Sequence, residues 1–325
     1  METIHLALAS DANYFCGLLV TATSLARHAS RAAALVFPVM SDGIPGAEIE
    51  RLKAALAREH PAVEVVVWPV DSDRFASFPT WNGARHTAYA RLLLPELLAT
   101  AGYRIGHFLY CDVDFLWTGD VADLWTLRSE THALQACADG WEATLALESE
   151  WFRANGLAFD PARYICSGLL LVNLALWQRE RLTARTLDFL DRHRDVRFAD
   201  QTAINAVVPE IGLLPGQWGR LALDRTTDLF AEPGAIHFAG CAPWRMHWWT
   251  VLATPADDAW YRLYGELNGI SASAARRRFV SDRAFCKRRL ITLLATTPLV
   301  REIFFLLLRV ARRGCYIPTL RGVRR

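Results

Sequence analysis

The stretch GHFLYCDVDFLW, residues 106–117, constrains the fold and the chemistry of this chain more than any other. Its apolar run from His107 to Cys111 is typical of a buried strand. Asp112 and Asp114 follow, and residues two apart share a face of an extended backbone, so both carboxylates point the same way. Adjacent carboxylates repel each other unless a cation lies between them, and oxygen ligands suit magnesium, calcium or manganese. The simpler alternative is that both acids cap the following turn.

The residues before this stretch alternate between strand and helix patterns. The predicted elements are a strand at 4–9, a helix at 15–28, a strand at 34–40, a helix at 47–60 and a strand at 63–67. This order is the opening of a doubly wound parallel sheet, which binds ligands outside the carboxyl ends of its strands. Asp11, Asn13 and Tyr14 follow the first strand and therefore line this crevice. Turn formation explains the Asp and the Asn but not the aromatic residue beside them.

The α/β pattern continues along the chain. The predicted elements are a helix over 87–94 with a new turn from Pro95, a short helix at 121–125, a strand at 134–137, a helix or lid at 141–155, a central strand at 164–174, a helix at 179–193, a helix capped by Asp200, and a final strand at 236–240. Gly168 in the central strand indicates a bulge or a close approach of another group to the backbone.

Two side chains leave alternatives open. Arg91 is the one cation on a largely apolar segment. It is either an ordinary arginine that reaches out to solvent or a phosphate ligand directed into the crevice. His237 stands alone in the final strand, where a histidine is more often a satisfied core residue than a ligand. Spacing alone does not decide either question.

The distribution of charge divides the chain at residue 270. Residues 271–325 carry 14 of the 36 Lys and Arg but only 2 of the 34 Asp and Glu, so the body is acidic and the tail is basic. The uncharged run at 290–300 is too short to cross a bilayer, which requires about 20 residues. Bulky apolar residues flanked by arginine clusters fit an amphipathic helix on an anionic membrane surface. The alternative is a terminal helix packed on the body, with its arginines solvated.

Cysteine usage and the N-terminus indicate the compartment. The 7 cysteines are scattered, odd in number and never in a C-x-x-C pair, which argues against a disulfide framework and a zinc ribbon. The N-terminal residues lack the basic start and long apolar core of a signal peptide. We therefore expect a cytoplasmic protein that associates peripherally with the inner face of the cytoplasmic membrane. The tail is rich in apolar residues and no reading motif accompanies it, so a nucleic-acid partner is not expected.

The ordered motifs within residues 4–250 resemble those of the family 8 glycosyltransferases. The matching segments are LASDANY, TAYARL, YCDVDFLW, SGLLLVNL, DQTAIN and HFAG followed by CAPW. Jointly they are far more specific than any one motif. The family comprises retaining, nucleotide-sugar-dependent enzymes, among them the bacterial lipopolysaccharide galactosyl- and glucosyltransferases. The resemblance implies one α/β domain of the glycosyltransferase A type at residues 1–270, with a mixed, mostly parallel sheet flanked by helices. The basic amphipathic helical tail, residues 271–325, follows it.

The resemblance also implies a role for each matching residue, as a set of nucleotide, metal and sugar contacts. The uridine of a UDP-sugar would lie on Ala9, Asp11, Asn13 and Tyr14, with Tyr14 stacked on the uracil. Asp112, Asp114 and His237 would bind a metal that touches both phosphates, and Gly240 would lie with them at the donor nucleotide. The catalytic set at the donor sugar would be Arg91, Asp200 and Gln201. An imidazole among carboxylates favours manganese, with magnesium as the second choice.

Two positions depart from the family pattern. Cys166 stands where the family usually has an asparagine near the sugar, which leaves the donor preference open. The family's lysine before the final Pro-Trp, which meets the diphosphate, is missing. Arg245, or alternatively Arg220 or Arg225, would have to supply that charge, although a guanidinium is not an equivalent phosphate ligand.

Together these residues predict a metal-dependent retaining transfer of galactose or glucose from a UDP-sugar to a glycan or glycolipid acceptor, such as lipopolysaccharide. Gln201 is a poor nucleophile, so we expect the acceptor to attack from the face that the phosphate leaves. One alternative is a catalytically weak or silent sugar-nucleotide-binding or membrane scaffold protein. A metal-dependent phosphohydrolase is less favoured, because its Asp-x-Asp pair normally follows the first strand.

Overall fold

The computed structural model describes residues 2–80, 86–102, 105–224, 228–245, 254–287 and 290. The chain divides into two compact units. The first unit consists of residues 1–220 and 232–237, and the second of residues 221–231 and 238–325. The residues predicted to bind metal and sugar all lie in the first unit.

The strands of the described residues form a large sheet and a small one. In chain order they are β1 (Glu2–Asp11), β2 (Ala33–Asp42), β3 (Val63–Pro69), β4 (His107–Cys111), β5 (Phe115–Trp117), β6 (Leu134–Ala138), β7 (Ile165–Asn173), β8 (Ile211–Leu213), β9 (Arg220–Leu221) and β10 (Ala235–His237). The large sheet has seven strands in the order β3-β2-β1-β4-β7-β6-β8, and the small sheet has the order β5-β10-β9.

The helices lie between these strands and after them. In chain order they are α1 (Phe15–His28), α2 (Gly46–Glu59), α3 (Leu94–Thr100), α4 (Val121–Trp125), α5 (Glu142–Ala154), α6 (Leu174–Arg179), α7 (Leu182–Arg192), α8 (Asp200–Val207), α9 (Pro255–Leu267) and α10 (Ala272–Phe279). Short 3₁₀ helices lie at Ala12–Tyr14, Ser72–Phe75, His86–Leu92 and Gly216–Gly219.

The large sheet is mixed because of one strand. β1 pairs in parallel with both β2 and β4, whereas β7 runs antiparallel to β4 and to β6. All five residues of β4 are buried, and so are the last six of β1, as expected for central strands that are covered on both faces. The predicted fold, a mixed, mostly parallel sheet flanked by helices, is therefore confirmed.

Three predicted local features differ from the structure. The helix predicted over 179–193 is α7 and begins three residues later, at Leu182, because Arg181 has a left-handed backbone with φ of 55°. The predicted cap of α8 is wrong: Ala199 is the N-cap, and Asp200 is the first helical residue. The segment around Arg91 is helical as predicted but has the tighter 3₁₀ form, and Pro95 lies in the first turn of α3.

The second unit contains α9 and α10. Thr254 caps α9 through a reciprocal pair of hydrogen bonds with Asp257. The ring of Trp260 stacks on Tyr264 at a centroid distance of 5.1 Å, and Phe279 of α10 packs edge-on against both. The start of the basic segment therefore shares an aromatic cluster with α9.

None of the helices in the described part of the chain combines the length and apolar character that crossing a bilayer requires. Most of the predicted amphipathic tail, including residues 291–325, lies outside the described residues. The division at residue 270 and the membrane role of residues 271–325 stay predictions.

Candidate active site

The candidate site lies where the order of strands in the large sheet changes direction. The chain builds outward from β1 through β2 to β3, and then returns to place β4 on the other side of β1. Leu8 of β1 is paired with Cys111 of β4, so Asp11 and Asp112 lie at the same edge of the sheet. This is the crevice in which open α/β sheets bind ligands.

Asp112, Asp114 and His237 converge at this edge. Each offers one ligand atom, and these three atoms all lie within 4.8 Å of one another. The hydroxyl of Thr21 lies 2.8 Å from the carbonyl oxygens of both Val113 and Phe115, and it fixes the turn that carries the acids. His237 lies at the end of β10, which pairs with β5. This pairing places His237 opposite Phe115, beside the two acids.

Three neighbours hold the imidazole ring of His237. The Phe115 ring stacks on it at a centroid distance of 4.2 Å and an angle of 12°. On Gly168, a Cβ atom would lie 2.5 Å from Cε1 of the ring, so the close approach predicted at this glycine is confirmed. The Sγ atom of Cys166 lies 3.6 Å from Nδ1. The ring is therefore fixed with Nε2 3.2 Å from Oδ1 of Asp114.

These three side chains fit a divalent metal. Oδ1 of Asp114 is buried and has no hydrogen-bond partner in the described part of the chain, although Nε2 of His237 is close to it. A buried carboxylate oxygen without a well-formed hydrogen bond is costly, and a cation bound to this oxygen and to Nε2 of His237 would satisfy both atoms. Two carboxylates with one imidazole form a donor set that suits manganese.

The electrostatics of these groups agree with a cation site. Burial raises the pKa of Asp112 to about 6, with Asp114 adding to the rise and Arg91 opposing it. Burial lowers the pKa of His237, but the neighbouring Asp114 carboxylate raises it, and the net pKa lies well above the usual histidine value. The position between the acids therefore attracts positive charge strongly.

Arg91 is buried within the site, so the interpretation as a solvent-reaching arginine is wrong. Its side chain is only 4% exposed, and its guanidinium pairs with Asp112 at 2.6 Å and with Asp200 at 3.2 Å. It also donates to the carbonyl oxygen of Ser167 and lies 4.6 Å from the centroid of the Tyr110 ring. Burial lowers the pKa of Arg91, but the carboxylates of Asp112 and Asp200 raise it by more. The net pKa lies above the usual arginine value, so the side chain stays charged.

Gln201 lies beside this ion-pair network with its amide fixed at both ends. Its Oε1 accepts a hydrogen bond from the Ser167 amide at 3.1 Å, and its Nε2 donates to Asp139 at 2.9 Å. Burial raises the pKa of Asp200, and Arg91 opposes that rise. Both predicted donor-sugar residues therefore have defined orientations at the sheet edge.

Asp139 is a site residue that the sequence interpretation missed. It follows directly after β6, and burial raises its pKa, whereas its hydrogen bonds and the charge of His237 lower it. The signal was present, because a buried strand that ends in aspartate repeats the pattern of Cys111 and Asp112. Asp139 thus adds a carboxylate at the same edge of the sheet.

The loop after β1 has the predicted turn chemistry. Oδ1 of Asp11 accepts hydrogen bonds from the backbone amides of Asn13 at 2.8 Å and Tyr14 at 3.0 Å. Ala9 is buried in β1, Asn13 is exposed and Tyr14 is half-buried. Asp11 therefore shapes the loop from which Asn13 and Tyr14 project, and their uridine contacts stay predictions.

The remaining predicted residues are the candidates for contact with the diphosphate, and they lie on both sides of β10 in the sequence. Gly240 has a left-handed backbone with φ of 65°, and it lies with Arg245 in the second unit. Arg220, in the first unit, pairs with Glu232 at 2.7 Å. Arg225 lies outside the described residues. The phosphate roles of Gly240 and Arg245 stay predictions.

Comparison with known proteins identifies the class of enzyme that this fold and site define. Residues 5–247 match the family model described as Glycosyl transferase family 8. The chain therefore belongs to this family and is a retaining hexosyltransferase, as its motifs predicted. Its partners are accordingly a nucleotide-sugar donor and a glycan acceptor.

Individual relatives are distant. General stress protein A of Bacillus subtilis is 23% identical over 210 residues, which cover 64% of this chain and 70% of the relative. The lipopolysaccharide 1,3-galactosyltransferase of Salmonella typhimurium is 24% identical over 196 residues, covering 58% of this chain and 54% of that protein. The solved structure of galactosyltransferase LgtC in complex with donor and acceptor sugar analogs has a TM-score of 0.65 and 23% identity, and the match covers 81% of this chain and 96% of LgtC.

Proposed function

We propose that this enzyme transfers galactose or glucose from a UDP-sugar to a cell-surface glycan or glycolipid, with Mn²⁺ as its metal. Among its relatives are a lipopolysaccharide 1,3-galactosyltransferase and a lipopolysaccharide 1,2-glucosyltransferase, which supports lipopolysaccharide as the first acceptor to test. Mg²⁺ is the second choice of metal, since both ions accept carboxylate ligands. The convergence of Asp112, Asp114 and His237 beside the Arg91 ion pairs carries the proposal.

The proposed roles follow from the contacts at the sheet edge. Asp112, Asp114 and His237 would hold the divalent ion, which when bound supplies Lewis-acid stabilisation of the charge that develops on the departing diphosphate. Arg91 is already neutralised by two carboxylates, so its role is to fix Asp112 and Asp200 in place. Gly240 and Arg245 are proposed to meet the diphosphate, and Tyr14 to stack on the uracil.

The contacts of Asp200 and Gln201 favour transfer on one face of the sugar. Asp200 is paired with Arg91, which reduces its nucleophilicity, and the Gln201 amide is a poor nucleophile. The anomeric carbon–oxygen bond to the diphosphate breaks, the acceptor oxygen bonds to that carbon from the same side, and the acceptor proton passes to the leaving phosphate. A glycosyl adduct on Asp200, Gln201 or Asp139 in a mass spectrum would contradict this route.

A panel of UDP-sugars tests the proposal directly. The full chain should bind UDP-galactose or UDP-glucose in the presence of Mn²⁺ and release UDP when a lipopolysaccharide core acceptor is added, and EDTA should abolish both. Asp114→Asn should lower the rate at least about 100-fold, since it removes a ligand of the charge-stabilising ion. Asp123→Asn, which changes an exposed aspartate on α4, is the matched control.

The possible results separate the candidate functions. Metal-dependent release of UDP with Asp123→Asn unaffected would support the proposal. Binding of a UDP-sugar with neither transfer nor hydrolysis would instead favour the sugar-nucleotide-binding scaffold. If no member of the panel binds with Mn²⁺ or Mg²⁺, the proposed donor and metal are both wrong.

We further propose that the enzyme works at the inner face of the cytoplasmic membrane, held to anionic lipid by residues 271–325. The described part of this segment presents exposed cations at Arg277, Arg278, Arg283 and Lys287. Each cation near an anionic surface contributes about 1 kcal/mol of attraction. A membrane-bound position would place the enzyme beside a glycolipid acceptor.

A further inference from the structure

The two ring nitrogens of His237 face different partners. Nε2 lies 3.2 Å from Oδ1 of Asp114, at the proposed metal site. Nδ1 lies 3.6 Å from Sγ of Cys166, within the range of a hydrogen bond to sulfur. Cys166 is half-buried and is one of the free cysteines. The sulfur of Cys166 therefore faces Nδ1, the ring nitrogen that would not bind the metal.

The tautomer of this histidine decides whether it can bind a metal. A neutral imidazole carries one proton, so a lone pair on Nε2 requires the proton to be on Nδ1. Metal-bound histidines almost always donate that second N–H to an acceptor, which orients the ring and raises its basicity. At His237 the group opposite Nδ1 is the Cys166 sulfur.

The other neighbours of the ring do not make this choice. Phe115 stacks on the ring face, and Gly168 leaves room for the ring edge. Both contacts fix the position of the imidazole, but neither distinguishes a proton on Nδ1 from one on Nε2. Two contacts do: Asp114 faces Nε2, where the proposed metal would take the place of a proton, and the sulfur of Cys166 faces Nδ1.

We infer that Cys166 is a positioning residue whose sulfur accepts the Nδ1 hydrogen of His237 and thereby leaves Nε2 free to bind the divalent metal. The inference rests on the metal site of the proposed function. It gives a role to the position at which this chain departs from the asparagine usual in its family, because the thiol that stands there contacts the histidine. A sulfur atom is a weaker hydrogen-bond acceptor than an oxygen atom, so this contact with Nδ1 is weaker than one to an oxygen.

Two substitutions at this position separate acceptance of a hydrogen bond from packing. Cys166→Ser keeps an acceptor beside Nδ1, whereas Cys166→Val fills the space without one and suits a strand. Mn²⁺ affinity is measured in the full chain from the electron paramagnetic resonance signal of the free ion. Cys166→Val should bind Mn²⁺ about 10- to 100-fold more weakly than wild type, the usual effect of removing such a partner, and Cys166→Ser should lose much less. Cys286→Ser, at an exposed thiol, should match wild type.

A second readout shows whether His237 binds the ion. Electron spin echo modulation from a ligating nitrogen should be present in the Mn²⁺-loaded wild type and in Cys166→Ser, and reduced in Cys166→Val. Thermal unfolding checks each variant, and Cys166→Ala replaces Cys166→Val if the latter does not fold.

The outcomes distinguish this inference from the function on which it rests. If wild type binds no Mn²⁺, or binds it without a nitrogen signal, the proposed metal site itself is wrong and the inference falls with it. If wild type binds Mn²⁺ through nitrogen and Cys166→Ser is no better than Cys166→Val, the metal site stands but Cys166 does not position the histidine.

Discussion

A single buried guanidinium organises the acids of the site. Arg91 contacts Asp112 on one side and Asp200 on the other, and it also binds the backbone of β7 at Ser167. Lysine could not replace it, because one ammonium cannot reach two carboxylates and a carbonyl with fixed planar geometry. At position 91, arginine is therefore not interchangeable with lysine, a residue that this chain has only at positions 53 and 287.

The packing of His237 against Gly168 gives the first prediction. Gly168→Ala would place a Cβ 2.5 Å from Cε1 and 3.0 Å from Nε2 of the imidazole. The ring must then move from the acids, and we expect Mn²⁺ affinity to fall at least about tenfold, as for other losses of ligand orientation. Isothermal titration calorimetry with Mn²⁺ measures the change.

Gly106→Ala is the matched control for this substitution. Gly106 is exposed, and a Cβ there would meet no atom within 4 Å. The control should bind Mn²⁺ like wild type. Equal affinity for the Gly168 variant would show that the imidazole is not held where the structure places it.

A buried acid behind the site gives a prediction about pH. Glu148 of α5 accepts a hydrogen bond from the Tyr164 hydroxyl at 2.7 Å, and burial raises the pKa of Glu148. The folded protein therefore holds this proton more tightly than the unfolded chain, so ionisation of Glu148 lowers stability as pH rises from the unfolded pKa through the folded one.

Glu148→Gln should remove that penalty. Its amide oxygen can still accept the Tyr164 hydrogen bond, so the variant should melt a few degrees above wild type at pH 8 and show little difference at pH 4. Differential scanning calorimetry at both values measures this. Glu150→Gln, an exposed neighbour on α5, should show no such gain. A gain at pH 4 that equals the gain at pH 8 would rule out ionisation as the cause.

The strands were more predictable than the helix boundaries. Long buried runs marked β1, β2 and β7, because a central strand is apolar on both faces. The start of α7 was predicted three residues too early because it depends on the backbone conformation of Arg181, which residue type does not reveal. The first turn of α8 was misread because the ion pair of Asp200 with Arg91 connects residues distant in sequence.

The left-handed residue between α6 and α7 leads to a prediction about stability. Arg181 is exposed and has φ of 55° and ψ of 40°, a conformation that costs most residues about 1 kcal/mol and glycine little. Arg181→Gly should therefore stabilise the fold, whereas Arg181→Val should destabilise it. Urea unfolding measures both variants.

Ala184→Gly serves as the reference for the effect of glycine itself. Ala184 is exposed within α7, where glycine costs about 1 kcal/mol relative to alanine. The two glycine variants should therefore have effects of opposite sign. If both destabilise the fold, the left-handed conformation of Arg181 carries no strain.

For the whole molecule, the sequence predicted the fold class and the carboxylate pair from their local patterns. It could not predict from local pattern that His237 reaches Asp114, because that contact requires β10 to pair with β5 across a long stretch of chain. Only the resemblance to a family suggested this grouping. The contact of Cys166 with Nδ1 of His237 was missed for the same reason, since no periodicity encodes it.

The charged surface of the second unit gives a prediction about membranes. Replacing Arg277, Arg278 and Arg283 together by glutamate should weaken binding of the full chain to vesicles of anionic lipid. The loss should be on the order of 100-fold at low salt, because each cation near such a surface contributes about 1 kcal/mol. Vesicle co-sedimentation measures the partition.

A second triple variant separates local from net charge. Glutamate at three exposed arginines of the first unit, Arg58, Arg153 and Arg163, changes the net charge equally. It should leave vesicle binding much nearer to wild type. Equal loss of vesicle binding in both triple variants would show an effect of net charge alone. If neither variant loses vesicle binding, Arg277, Arg278 and Arg283 do not contribute to membrane binding.

The pairing of β10 with β5 also bears on biosynthesis. Every strand of the large sheet is made before β10, so a growing polypeptide can complete that sheet while it still lacks the imidazole. A nascent chain halted at the ribosome before residue 237 would have its two aspartates but not the third proposed ligand. Translation must therefore run past the last strand before the newborn chain holds all three residues of the proposed metal site.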